Sequence, residues 1–448
     1  MRVSILGAGY VGSVTGACLA ELGHEVVVAD VDPVRIDAIN GGRSPLYESG
    51  LDELVGKNAG DRLEATTDVA SAVRRTDLTF VAVGTPSTAD GIDLSAIVEA
   101  SRSIGAAIRE KRGEHTVVVK STVVPGTTAG IVREALEDSS GLRCGADFGL
   151  GANPEFLTEG QAVDDFMHPD RLVLGADDER TRELLVELYE PIDVRVPRML
   201  TNTRTAEMIK YASNTLLATM ISFANELSDL ATEIGGIDVV DVMKGVHASQ
   251  YLSPRASPDA EPVVAPITSF LEAGCGFGGS CLPKDVRALV AEGRRHGRAM
   301  RVLQAVLDTN EERAGEVVRL LENALGGGVA GRSLTVLGVA FKPGTDDTRE
   351  SPAIPIARLL LERDAMVTLH DPVVRELPSA LRGLGASLEP QLERAVDGVD
   401  ALVLVTRWDA YRELPALLAS RAPQPVVLDG RRLLSPDDVE RYVGIGRS

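Results

Sequence analysis

Residues 3–30 confine the start of the chain to one kind of fold. An apolar run, Val3–Leu6, enters the turn Gly7-Ala8-Gly9-Tyr10-Val11-Gly12. A helix of small residues follows to about Leu22. A second apolar strand, Glu25–Ala29, ends in Asp30, 18 residues after Gly12. A glycine triplet that leaves a strand, opens a helix and is followed by an acid at this distance predicts a dinucleotide-binding βαβ unit. The first glycine makes the turn, the second admits a pyrophosphate, and the third lets helix and strand pack. The helix N-terminus then faces the phosphates. Asp30 is expected to bond ribose hydroxyls and repel a 2′-phosphate, so NAD is expected over NADP.

At 448 residues the chain has room for two or three domains of about 150 residues each. Its net charge of -20 argues against nucleic acid or an anionic membrane as a partner. No apolar run reaches the roughly 18–20 residues of a membrane helix, and the first residues read as a strand, not a signal peptide. The four cysteines, Cys18, Cys144, Cys275 and Cys281, make no C-x-x-C pair and no zinc spacing. Reduced thiols in a cytoplasmic protein without a bound metal are expected. Cys18 falls on the apolar face of the first helix and Cys144 in a connection.

The tract Gly276-Phe277-Gly278-Gly279-Ser280-Cys281-Leu282-Pro283-Lys284-Asp285 gives Cys281 unusual company. Glycines allow close approach to the backbone, a nearby cation favours a thiolate, and a carboxylate can handle a proton or a water. A packed loop cysteine is the plain alternative. Only seven of the 46 basic residues are lysines. Lysine should persist where a compact, deprotonatable ammonium matters, and Lys120, Lys210, Lys284 and Lys342 each fall inside a motif.

More βα units follow the first. Strand Thr79–Val83 runs into Gly84-Thr85-Pro86, and His115–Val119 into Lys120-Ser121-Thr122. Strand ends of this kind line the ligand crevice of a doubly wound sheet, which places Thr85, Lys120 and Thr122 there. Hydroxyls capping the next helices are the alternative. Strand Asp147–Gly151 leads into Asn153-Pro154-Glu155-Phe156-Leu157-Thr158-Glu159. A long helix is predicted over 203–234 from its broad apolar stripe. Lys210 and Asn214 share one face of it, either as a solvated pair or as functional groups. Prolines at 254, 258, 262 and 266 mark 248–268 as an irregular exposed insertion. After Gly326-Gly327-Gly328 the strand pattern restarts at Ser333–Val339, Val367–His370, Ala401–Val405 and Pro425–Leu428. Asp371 ends the second of these strands like Asp30, but no glycine triplet precedes it, so this domain should bind something other than NAD.

With those motifs in hand, the chain resembles the UDP-glucose/GDP-mannose dehydrogenase family over nearly its whole length. The resemblance rests on Gly7–Gly12, Val83–Pro86, Ser121-Thr122, Asn153–Glu159, Glu207–Asn214, Gly276–Asp285 and the stretch from Gly338 to Ser351-Pro352. It implies an α/β fold of two Rossmann-like doubly wound domains joined by a long central helix. The expected parts are an NAD-binding domain over 1–200, a helical dimerisation region with the cysteine loop over 201–324, and a nucleotide-sugar domain over 325–448. It further implies a homodimer through the central helix and oxidation of the C6 alcohol of a nucleotide sugar to a carboxylate by two NAD in succession.

Residue by residue, the resemblance makes Cys281 the nucleophile, with Lys210 and Asn214 on the oxyanion. Asp285, Glu155 and Thr122 then handle water and protons. Gly7, Gly9, Tyr10, Val11, Gly12, Asp30, Arg35, Thr85, Thr122, Glu159, Lys284 and Arg349 correspond to NAD contacts. Glu155, Phe156, Leu157, Lys210, Asn214, Phe270, Leu271, Gly274, Gly278, Phe341, Lys342 and Arg431 correspond to the substrate site. In one place the chain departs from the family: the stretch that usually reads Arg-Ile-Gly is Ala265-Pro266-Ile267 here, and Arg255 is the nearest substitute. UDP-glucose is the favoured substrate, with GDP-mannose or another UDP-sugar open. A two-electron hydroxy-acid-type dehydrogenase is the competing class.

Overall fold

In the computed structural model, which describes residues 1–88, 91–111, 113–255, 257 and 260–447, the chain divides into two compact units, Met1–Ser213 and Asn214–Ser448. The first is built on an eight-stranded sheet. Its strands are β1 (Arg2–Leu6), β2 (Glu25–Ala29), β3 (Leu63–Thr66), β4 (Leu78–Val81), β7 (Thr116–Val119), β8 (Gly149–Ala152), β9 (Leu172–Ala176) and β10 (Arg198–Thr201), while β5 (Ser87–Thr88) and β6 (Gly91–Ile92) pair separately. The order across the sheet is β10-β9-β8-β7-β4-β1-β2-β3. The β8–β9 pair is antiparallel and the others are parallel.

Strands β4, β7 and β8 are buried along their whole length, as a sheet covered on both faces requires. The strand order reverses between β1 and β4, so the crevice at their carboxyl ends is the natural ligand position. Cys18 lies in the core as expected, and burial, with Glu21 nearby, pushes its thiol up to about 12. Strands β3, β9 and β10 fall where the sequence pattern predicts none. β3 and β10 are only partly buried, and β9 is a five-residue run too short to show a period.

The second unit holds a six-stranded parallel sheet. Its strands are β11 (Ser333–Leu337), β12 (Met366–His370), β13 (Ser387–Leu388), β14 (Ala401–Leu404), β15 (Val426–Asp429) and β16 (Tyr442–Gly444), in the order β13-β12-β11-β14-β15-β16. The protein is thus an α/β chain with two doubly wound sheets, the first parallel except for the β8–β9 pair and the second parallel throughout, and long intervening helices. The predicted long helix spans Thr203–Ile234, with the unit boundary inside it. Helices Val239–His247, Leu282–Arg295 and Arg301–Leu325 follow. Of the 248–268 insertion, Pro258 lies outside the described residues. Tyr251 is fully open to solvent, but Ser253 and Thr268 are buried and a 3-10 turn spans Pro266–Phe270. The segment is therefore irregular without being exposed throughout. Among the described residues, no helix is long and apolar enough to cross a membrane.

Candidate active site

The glycine fingerprint has the geometry its spacing implies. Gly7 takes φ +106°, a conformation that glycine adopts without strain, and an added Cβ would lie 2.5 Å from the Ala82 carbonyl oxygen. A Cβ on Gly12 would collide with Gly7, whereas one on Gly9 would meet nothing within 4 Å. The second glycine thus faces open space and the third packs helix on strand. The Asp30 carboxylate accepts from Ala8 N at 2.5 Å and Asp32 N at 2.9 Å. Arg35 approaches it at 3.7 Å. Tyr10 donates its hydroxyl to Glu48, a buried acid that also accepts from Gly160 N at 2.7 Å and Ala162 N at 2.9 Å. Glu48 therefore ties the fingerprint to the residues that follow Glu159. The sequence reading missed it, because an acid ahead of Gly50-Leu51 carries no local signal of such distant partners.

At the ends of β4 and β7, the Thr85 hydroxyl donates to the Thr122 carbonyl at 2.9 Å. This joins the two strand ends and caps no helix. Lys120, directly after β7, is buried against the residues that follow β8. Its ammonium donates to Asn153 Oδ1 at 3.0 Å and stands 5.5 Å and 5.7 Å from the Phe80 and Phe166 ring centres. Burial pulls it down to about 8, against an opposing pull from Glu155. It lines a cavity of about 250 Å³ with Glu155, Phe156, Leu157, Arg171 and Tyr189.

Glu155 and Lys210 form a buried ion pair at 2.9 Å, with side chains 7% and 5% exposed. Burial pushes the Glu155 carboxyl up, but Lys210, the Leu157 amide and Lys120 more than offset this, and the net direction is below the ordinary carboxylate range. Phe156 stacks under the Arg171 guanidinium at 3.9 Å and lies 5.4 Å from the Lys210 ammonium. The solvated reading of Lys210 and Asn214 fails, since both are buried.

In the second unit, Cys281 is exposed and is the N-cap of the Leu282–Arg295 helix. The free N–H groups of a helix start favour a thiolate. In the first turn, Asp285 is almost fully buried and held from both sides. Asn214 Nδ2 donates to its Oδ2 and Lys284 Nζ to its Oδ1, each at 2.6 Å. The preceding loop is fitted to its neighbours. A Cβ on Gly279 would lie 2.7 Å from the Phe341 ring, and one on Gly278 would strike the Glu350 carbonyl. Arg431 donates to Val405 O at 2.6 Å and Gly276 O at 3.2 Å, and closes on Gly274. Lys342 stands 5.9 Å from the Phe341 ring centre. Leu271 is buried and Phe270 half-buried at the start of this loop. Arg349 pairs with Asp347 at 2.7 Å and lends its carbonyl to Gly279 N at 3.0 Å. Arg255 donates to Ala260 O at 3.1 Å.

The open Gly7–Gly12 turn, the carboxylate at the end of β2 and the reversal of strand order beside them make the first unit a dinucleotide-binding domain. Three family models cover the chain. Residues 1–193 match the NAD binding domain of the UDP-glucose/GDP-mannose dehydrogenase family, 204–312 its central domain and 335–436 its UDP binding domain. The chain belongs to this family and is a nucleotide-sugar dehydrogenase. It is 40% identical to a UDP-glucose 6-dehydrogenase of Haloferax volcanii, with 97% of each chain covered. It is 37% identical to a GDP-mannose 6-dehydrogenase of Pseudomonas putida, with 96% of each covered. Among solved structures, a UDP-glucose dehydrogenase from Pyrobaculum islandicum matches with a TM-score of 0.89 at 40% identity, covering 100% of this chain and 98% of that one.

Proposed function

We propose that the protein oxidises the C6 alcohol of UDP-glucose to the carboxylate. UDP-glucose, two NAD⁺ and water give UDP-glucuronate, two NADH and three protons. The observation that carries this reading is the Asn214–Asp285–Lys284 cluster at the start of the helix whose N-cap position is Cys281. A two-electron dehydrogenase has no use for a thiol so equipped. UDP-glucose is preferred because similarity to UDP-glucose enzymes reaches 40% identity, and the GDP-mannose enzymes of 36–37% identity keep GDP-mannose as the second reading.

NAD held by the Gly7–Gly12 turn, Asp30, Arg35, Thr85, Thr122, Glu159, Lys284 and Arg349 would accept the hydride in each oxidation. Cys281 adds to the C6 aldehyde, giving a thiohemiacetal whose second oxidation leaves a thioester. The covalent bond retains the carbon while cofactor is exchanged. Lys210 and Asn214 donate to the oxyanion, where preorganised donors act most strongly. Glu155 and Asp285 take protons from the water that cleaves the thioester, with Thr122 orienting it. Phe156, Leu157, Phe270, Leu271, Gly274, Gly278, Phe341, Lys342 and Arg431 hold the nucleotide sugar.

The reading includes a three-part chain, with cofactor, central and nucleotide-sugar segments over 1–200, 201–324 and 325–448, a cytoplasmic location, and a homodimer through the central helix. Leu216, Phe223 and Leu230 recur there every seven residues, each about half exposed. The test is NADH yield with limiting UDP-glucose, GDP-mannose and UDP-N-acetylglucosamine offered separately. Two NADH per UDP-glucose is expected. One per sugar would rule out the four-electron reaction, and turnover only with another sugar would move the specificity.

A further inference from the structure

From Leu271 to Ser280 the chain has neither helix nor strand, so its backbone polar groups must find partners elsewhere. The Arg301–Leu325 helix supplies several of them from two residues three positions apart, hence on one face. Asn310 accepts from Phe277 N at 2.8 Å and donates back to Phe277 O at 3.1 Å. Arg313 forks onto Gly274 O through Nε at 3.1 Å and Nη2 at 2.9 Å. Its third nitrogen meets Asp229 of the Thr203–Ile234 helix, and Asn225 of that helix accepts from Gly274 N at 2.7 Å.

The fit between loop and helix is close. Gly276 takes φ +98°, and a Cβ there would lie 2.7 Å from Asn310 Oδ1. Arg313 is 1% exposed. A charge so deeply placed is costly unless paired and fully hydrogen-bonded, and three of its contacts serve that purpose. Two of these end on the carbonyl of Gly274, seven positions before Cys281.

We infer that Asn310 and Arg313 are positioning residues that hold the Gly274–Phe277 backbone and thereby set where the Cys281 thiol meets its electrophile. This rests on the reading of Cys281 as nucleophile. Neither residue is among those placed against substrate or cofactor. A misplacement of about 1 Å at a reacting group costs on the order of 10²-fold in rate, and a loop without regular structure depends on such side-chain ties to keep its register.

The test compares wild type with Asn310→Ala, Asn310→Asp and Arg313→Lys in the full-length protein. Asn310→Asp keeps the acceptor for Phe277 N and loses the donor to Phe277 O. Arg313→Lys keeps the charge and loses the fork. Two quantities are read well below each variant's melting temperature: the rate of Cys281 alkylation by iodoacetamide, followed by mass spectrometry of its peptide, and kcat against KM for NAD. The expected result for folded Asn310→Ala is a fall in kcat of roughly 10–100-fold, an altered alkylation rate and an unchanged KM for NAD, with Asn310→Asp between it and wild type. Wild-type alkylation and kcat in a folded, merely less stable variant would overturn the inference. If Asn310→Ala does not fold, the other two variants are judged by the same criterion. Alkylation needs no turnover, so failure of the covalent mechanism, seen as an active Cys281→Ser, stays distinguishable from failure of this inference.

Discussion

Lys210 Nζ lies 2.9 Å from Glu155 Oε1, and both side chains are almost fully buried. Such a pair is stable only while complete, because removing one partner strands the other charge. Lys210→Ala should therefore lower stability by about 3–5 kcal/mol and, if the ammonium serves the oxyanion, kcat by roughly 10²–10³. Chemical denaturation and steady-state rates at a temperature where the variant is folded separate the two effects. An unchanged kcat would leave Lys210 a structural role only. The depressed Glu155 carboxyl sets the acid side of the same pair. Its contribution is complete above the unfolded value near 4.5 and is lost as pH falls through the lower folded value.

Cys281→Ser should abolish steady turnover while leaving the melting temperature close to wild type, since the thiol is exposed at a helix start. Product analysis by mass spectrometry gives the answer. Acid formed at a near-normal rate would remove Cys281 from the mechanism.

Asp30→Ala should relax the preference for NAD over NADP. The carboxylate sits at the carboxyl end of β2, where it would repel a 2′-phosphate. The ratio of kcat/KM for the two cofactors is the measure, and an unaltered ratio would mean that the ribose is read elsewhere.

Lys120 gives a pH signature in stability. Burial lowers its folded value to about 8 from an ordinary 10.5. Between these values the unfolded chain binds more protons than the folded one, so Lys120 adds a term that rises with pH. Lys120→Met should remove that rise over about pH 8–10. Denaturation midpoints of both proteins across the range test this, and parallel profiles would show that Lys120 does not titrate there.

Phe223→Asp should weaken self-association. Phe223 is 49% exposed and stands midway between Leu216 and Leu230 on the Thr203–Ile234 helix. Light scattering should report a dimer for wild type and a smaller species for the variant. A wild-type monomer would dispose of the dimer.

The parts legible in the sequence are those whose physics is local. The Thr203–Ile234 helix has the predicted bounds because a stripe repeating over nine turns leaves little choice. Gly7, Gly9 and Gly12 are legible because a strand precedes them and a helix follows, and their backbone positions have the close packing and open space that this context implies. Strand ends shift by a residue or two, since β-pairing at the ends depends on neighbours far along the chain. Asn225, Asn310 and Arg313 were not legible as loop ties. Their partners lie 49, 33 and 39 residues away, and nothing in a helical pattern says which distant carbonyl a polar residue will meet. The lysine bias proved informative within limits: Lys120 and Lys210 are buried, while Lys57 and Lys244 are exposed surface residues.

The two sheets carry the same acid after their second strand, to different ends. Asp371 is fully buried and accepts from Val339 N, Ala340 N, Val373 N, Val374 N and the Trp408 indole. Asp30 accepts from two backbone amides and keeps a side chain 9% exposed. One copy of the motif thus remains a socket, while the other has become a rivet. Restoring glycines to the Gly338 turn would not by itself recreate a cofactor site in the second sheet, because the carboxylate that would greet a ribose there already fastens three loops together.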